Sequence, residues 1–337
     1  MGELKLIGEN GRPNFGIYDR PVNNINLQDL RPYGKNRYSG LERKYIDTFK
    51  IKKWEYIGLT DSNIVFGSAI VSTGYLGNVF FYLFDRKKKD LYERSFIKPF
   101  ARDISFSGGA QEGEVSFNAA DTSLKYTNGA ESIEVDLRHR DIIKAHLVLK
   151  RTPNPLSVIV REALEGFNYT NKEAGLVSEG EIELRGEKFS IDKTVSFGVL
   201  DYTVGYLKRE TFWNWASGGG ILEDSRRLGF NLSMGINESG ITENVLWLGD
   251  EPIKLGNVTF NYNDTNVMDM WQIFSTDNKV YLTFTPEGIR KADINAIFIK
   301  SKFYQPFGRF SGHITIGERK IALKEVYGFV EEYYAKW

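Results

Sequence analysis

The first stretch of this sequence with the makings of chemistry is Gly198-Val199-Leu200-Asp201-Tyr202-Thr203-Val204-Gly205-Tyr206, an apolar run with a single acid in it. In an extended chain Asp201 shares a face with Phe197 and Val199. A carboxyl group inside an apolar barrel has its pKa raised by desolvation, so Asp201 can protonate an alkene or orient a water, with Tyr202 as a proton relay. The competing reading is an Asp201 that faces outward, or that is satisfied by an arginine or an indole N–H. Just downstream, Arg209-Glu210-Thr211-Phe212-Trp213-Asn214-Trp215 places two indoles two residues apart, on one face of a strand. Trp213 and Trp215 are either a core wall or a ligand platform whose π faces can stabilise a developing cation. Arg209, Glu243, Asn244 and Trp247 are further candidates for a ligand-binding set, with a solvated salt bridge as the alternative for Glu243.

Other chemistries find little support. Three histidines, His139, His146 and His313, offer no metal-ligand spacing; His139 and His146 are seven apart, which on one strand puts them on opposite faces. No metal or cofactor is expected. Ser217-Gly218-Gly219-Gly220 matches neither a nucleophile elbow nor a phosphate loop and reads as a glycine-rich hairpin turn. Lysine plus arginine and aspartate plus glutamate balance at 44 each, so the basic excess used to neutralise nucleic-acid phosphates is missing. The chain has no cysteine, which excludes disulfides and thiolate chemistry and is compatible with a reducing compartment. The first residues are polar, Met1-Gly2 is followed by Leu6 where a myristoylation motif needs Ser or Thr, and no uncharged stretch approaches the roughly 20 residues of a membrane span. A cytoplasmic protein without a membrane span is the expectation.

The elements that must position these residues are strands. Ser132-Ile133-Glu134-Val135-Asp136-Leu137-Arg138 alternates strictly between polar and apolar, as do Glu181–Arg185 and Val280–Thr285, a pattern that a helix would scramble. Asn128-Gly129, Arg185-Gly186-Glu187 and Gly317-Glu318-Arg319 supply hairpin turns between such runs. Counting them gives about ten strands in each half, more than one open sheet holds without closing or splitting. The fold class is therefore all-β, two consecutive antiparallel barrels packed together, 1–192 and 193–337, with few short helices. Ile25 to Leu30, behind Asn24 as a cap, is one such helix, and Arg319 to Trp337 reads as a strand.

Asp201-Tyr202-Thr203-Val204-Gly205-Tyr206, Phe212-Trp213-Asn214-Trp215-Ala216-Ser217-Gly218, Glu243-Asn244-Val245-Leu246-Trp247 and Phe303-Tyr304-Gln305-Pro306-Phe307-Gly308-Arg309-Phe310-Ser311-Gly312 together resemble the bacterial domain of unknown function 2804. Lys53-Trp54-Glu55-Tyr56, Gly74-Tyr75-Leu76-Gly77 and Lys172-Glu173-Ala174-Gly175-Leu176 extend the resemblance over nearly the whole chain. That family is in turn distantly similar to double-lipocalin proteins such as carotenoid hydratases and tocopherol cyclases. The resemblance implies two lipocalin-like barrels and a cavity for an apolar molecule. Those relatives tend to carry Asp-His where this chain has Asp201-Tyr202, so an acid–base histidine has no counterpart here. Three functions follow as expectations: sequestration of an apolar or amphipathic small molecule in a barrel cavity, a cofactor-independent hydratase, cyclase or isomerase acting on an isoprenoid-like substrate, or recognition of a carbohydrate by aromatic faces and by Asn214, Asn244 and Glu243.

Overall fold

The computed structural model describes residues 4–295 and 300–336; Met1 and Gly2, read above for a lipid anchor, and Trp337 lie outside them. Nearly all of the regular secondary structure described is strand, arranged in two sheets. The first sheet has 14 strands, running from the meander 51–99 through Phe197–Tyr206 and Phe167–Leu184 to the meander 104–150. The second has 9, with Glu210–Ile221, Arg319–Lys336, Lys300–Ile316 and Val280–Asn295 at its centre. Both are antiparallel and curl on themselves, as the alternation in the sequence requires. No helix among the described residues is long and apolar enough to cross a membrane.

Each curled sheet closes over a filled interior. Leu59, Phe66, Phe81, Phe117, Tyr126 and Leu147 belong to the first core, and Phe230, Leu246, Trp271, Leu282, Phe284 and Phe310 to the second. A third cluster joins the outer faces of the two sheets, with Tyr56, Phe80, Tyr82 and Val199 meeting Trp215, Trp247, Phe307 and Phe329. Strands that border this seam are buried on both faces. Along Phe197–Tyr206, Leu200, Tyr202 and Val204 enter the first core while Val199 and Asp201 face the seam.

The backbones cross very closely at the seam, and glycine makes this possible. Gly175 sits at a bulge in Phe167–Leu184 with φ of 68°. A Cβ on Gly219 would lie 2.6 Å from the Gly175 Cα, and one on Gly229 would lie 2.2 Å from the Ala174 carbonyl oxygen. This corrects the reading of Ser217-Gly218-Gly219-Gly220 as a hairpin turn: these residues lie inside Glu210–Ile221, where they let two sheets approach. Phe197–Tyr206 likewise does not open the second barrel. It pairs with Ile51–Thr60 and Phe167–Leu184 in the first sheet, and the second sheet begins at Glu210.

The helical expectation is also revised. Only Leu27–Asp29 forms a short 3₁₀ turn near the segment read as a helix, whereas Gly40–Phe49 is an α-helix. A capping box starts it: Glu42 N–H donates to Ser39 Oγ at 3.2 Å, and Ser39 N–H donates to Glu42 Oε2 at 2.8 Å. Arg319–Lys336 is a strand, as read.

Candidate functional site

The seam keeps a cavity of about 140 Å³, lined by both sheets. Register explains its composition. In the first sheet, cross-strand pairing sets Tyr56, Asp201 and Lys172 in one row, with Trp54, Thr203 and Thr170 in the next row of the same face. In the second sheet, one row holds Trp213, Tyr333, Phe303 and Ala292, and the neighbouring one pairs Trp215 with Glu331 and Gln305 with Arg290. Two pleated surfaces therefore present their side chains to each other across the seam.

Lys172 anchors the first wall. Its Nζ lies 2.7 Å from Asp201 Oδ2 and 3.6 Å from Glu243 Oε1, and 5.0 Å from the centre of the Trp215 ring. Burial works against its charge, but Asp201 and Glu243 overcome that and hold the ammonium above the ordinary lysine pKa. Asp201 also accepts from Trp54 Nε1 at 3.0 Å and from Thr203 Oγ1 at 2.9 Å. Glu243 accepts from Asn237 Nδ2 at 2.6 Å.

Glu331 is the polar centre of the opposite wall. It accepts from Trp213 Nε1 at 2.8 Å through Oε1 and from Gln305 Nε2 at 3.1 Å through Oε2. Gln305 in turn accepts from Tyr82 Oη at 2.7 Å, and Tyr82 is 3.2 Å from the Tyr56 hydroxyl. Burial pushes the Glu331 carboxyl up to about 7, with the charge of Asp201 adding to the rise and the Trp213 bond, Lys172 and Gln305 holding it back. The Arg290 guanidinium lies 3.7 Å from the centre of the Phe80 ring, with its Nε 3.3 Å from Glu93 Oε2. Trp54 and Trp213 stack across the seam with ring centres 6.1 Å apart.

Of the residues singled out in the sequence, the structure brings Asp201, Trp213, Trp215 and Glu243 to this cavity. The rest lie elsewhere. Tyr202, the expected relay, points into the first core with its hydroxyl 3.5 Å from the Gly108 carbonyl oxygen, because neighbouring residues of a strand face opposite ways. Arg209 is exposed on the connection to the second sheet. Asn244 is occupied with backbone, accepting from Ser233 N–H at 2.6 Å and donating to the Gly256 carbonyl at 3.2 Å. Trp247 is buried in the seam but outside the cavity, donating to the Asn154 carbonyl at 2.8 Å. The cavity itself lies between the sheets and not inside a barrel, since both interiors are packed with side chains. Asp201 is no free acid either: its oxygens are taken by Lys172, Trp54 and Thr203. His139 and His146 occupy neighbouring strands, one bonded to Thr122 and the other to Asp136.

Lys172, Glu331, Arg290, Trp54 and Tyr333 were not anticipated as site residues. Lys172 and Glu331 stand in the polar runs Asn171-Lys172-Glu173 and Glu331-Glu332, which read as solvated chain. The resemblance quoted Lys172 without giving it a role.

The family model described as Domain of unknown function (DUF2804) matches residues 2–337. No curated protein matches the chain. Among solved structures, an AttH-like protein of Nitrosomonas europaea is 14% identical with a TM-score of 0.57, over 89% of this chain and 98% of that one. CghA, in a structure with Sch210972, is 10% identical with a TM-score of 0.57, over 98% and 97% of the two chains. Kievitone hydratase from Nectria haematococca is 10% identical with a TM-score of 0.50, over 89% and 93%. These are double-lipocalin-like proteins, and the two curled sheets described above have that fold. At such identities the likeness is one of fold.

Proposed function

We propose a function from the premise that the chain belongs to the family of the domain of unknown function 2804: it binds an apolar small molecule with one neutral polar end, in the seam between its sheets. The observation that carries this reading is an aromatic cavity with the Lys172, Asp201 and Glu243 cluster on one wall and Glu331 and Arg290 on the other. Trp54, Phe80, Trp213, Phe303 and Tyr333 supply apolar wall. An apolar cavity of about 150 Å³ holds a benzene-sized guest, so 140 Å³ accommodates one ring, and exposed Ile97 and Lys300 mark the rim where a longer molecule extends outward.

The Lys172 cluster favours a neutral polar group beside it. Lys172 is shared by two carboxylates, Asp201 and Glu243, which leaves the cluster with an excess of negative charge. A carboxylate or phosphate head is repelled there; a carbonyl or hydroxyl oxygen accepts a hydrogen bond from Lys172 without that cost. Of the groups named for the carbohydrate reading, Asn244 is tied to backbone and Asn214 bonds Tyr262 and the Glu331 carbonyl, which leaves Glu243 on the cavity.

Thermal denaturation and tryptophan fluorescence with matched cyclic ligands test this. A cyclic ketone and the corresponding alcohol raise Tm and quench fluorescence, while the carboxylic acid of the same skeleton does neither. No response to any neutral ring compound, or preference for the acid, contradicts the reading.

A second reading, cofactor-independent proton transfer in the same cavity, has one specific observation in its favour. Glu331 is a buried carboxyl on the cavity wall whose proton affinity lies near neutrality, the property first sought in Asp201.

A further inference from the structure

We propose that Glu331 and Lys172 form a proton-transfer pair for carbon acids, Glu331 removing a proton from the carbon next to a carbonyl group whose oxygen Lys172 holds. The inference rests on the cavity being a binding site for a neutral apolar molecule and adds the class of substrate, an apolar ketone, and the role of each residue.

The two groups come from opposite sheets and converge. Glu331 stands directly across from Trp215 in the pairing of Glu210–Ile221 with Arg319–Lys336, and the Lys172 ammonium lies over the Trp215 ring. Both groups line the cavity. Their chemical roles differ by construction. An ammonium has three donors; Asp201 takes one at 2.7 Å and Glu243 stands off at 3.6 Å, so a donor is left for a ligand oxygen. Each oxygen of Glu331 accepts one bond, from Trp213 or from Gln305, which leaves acceptor capacity on a carboxyl that lines the cavity. The Gln305–Tyr82–Tyr56 chain fixes the orientation of that carboxyl from behind. Asp201 and Glu243 cannot substitute for it, since both are committed to Lys172 and to further donors.

The step balances without any further reactant. The C–H bond breaks and its proton passes to a Glu331 oxygen. The bonding pair becomes the carbon–carbon π bond of an enolate as the carbonyl π electrons move onto oxygen, where a Lys172 N–H stabilises the charge. Return of the proton to the same carbon restores the ketone. In a β,γ-unsaturated ketone, return to the γ carbon moves the double bond into conjugation, so the net reaction is an isomerisation.

The probe is cyclohexanone in D2O, with binding followed by tryptophan fluorescence and loss of the α-hydrogens by proton NMR in the same samples. The expected result is saturable binding and exchange faster than in buffer. Glu331→Gln keeps binding and loses at least about 100-fold of the exchange rate, while Glu331→Asp retains part of it. The wild-type rate rises with pH through about 7 and then levels, as Glu331 gives up its proton. The groups that face Glu331 in that titration are Lys172 and Asp201, Tyr56 and Tyr82, Arg290, and Tyr333 on its own strand. Bound ketone that exchanges no faster than in buffer, or an unchanged rate in Glu331→Gln, overturns the inference and leaves the binding reading standing. Absence of binding overturns both.

Discussion

Two buried ion clusters occupy opposite faces of the same three strands, and the charged residues of the outer one line the seam cavity. On the inner face, Glu55, Tyr202 and Asn171 form a row, with Glu173 next to it; on the outer face, one residue along each strand, stand Tyr56, Asp201 and Lys172. The inner cluster is closed by Arg151, which donates to Glu173, to Asn128 Oδ1 at 3.0 Å and to the backbone carbonyls of Gly129 and Ala110. Its donors are spent on protein. The outer cluster leaves donor capacity on Lys172 at the seam cavity, where Glu331 of the facing sheet adds acceptor capacity. Perturbed acidity does not separate them: burial pushes Glu55 up to about 7, as it does Glu331. What separates the two clusters is access to the open space of the seam cavity.

Arg151→Met should produce the largest effect, because it leaves Glu173 buried without its cation. A loss of about 3–5 kcal/mol in chemical denaturation is expected, with ligand affinity unchanged in the protein that still folds. Weaker ligand binding at intact stability would break the comparison.

A paired substitution sharpens it next. Glu55 and Glu331 keep their protons in the folded state after the unfolded chain has lost them near the ordinary value of 4.5. Between about 4.5 and 7 the folded state binds more protons, so stability falls as pH rises through that window and is level above it. Glu55→Gln and Glu331→Gln should each flatten part of this slope, measured by denaturant unfolding across pH. Only Glu331→Gln should also slow the α-hydrogen exchange of a bound ketone, with binding itself kept. An equal effect of both on that exchange would mean that the inner cluster is part of the site.

The smallest effect belongs to Tyr202→Phe. The hydroxyl sits 3.5 Å from its nearest acceptor, in the first core, so a change of less than about 1 kcal/mol and no change in ligand affinity are expected. A marked loss of binding would return Tyr202 to the site.

These contrasts also explain what the sequence could disclose. Alternation with period two is a local property, so strands, turns and the all-β class were legible from runs such as Ser132–Arg138 and Glu181–Arg185. The pair Trp213 and Trp215 and the lone Asp201 stood out because their types break a local pattern. Lys172 and Glu331 did not, since a strand buried on both faces has no wet side to alternate with, and polar runs there look solvated. Their importance comes from register across three strands and from the facing of two sheets, neither of which is encoded in spacing. The same period, applied strictly, already separates Asp201 from Tyr202. Ser39-Gly40-Leu41-Glu42 was a readable helix start that the strand-rich background concealed.

On the proposed function, ligands enter the seam and not the interior of either curled sheet. Photolabelling with a small cyclic diazirine, followed by peptide mass spectrometry, tests it most directly. Label is expected on peptides carrying Trp213, Phe303 and Tyr333, displaced by cyclohexanone; label concentrated on Phe117, Tyr126 and Leu147 of the first core, or on Phe230 and Phe284 of the second, would put the ligand inside a curled sheet and overturn the seam as the binding site.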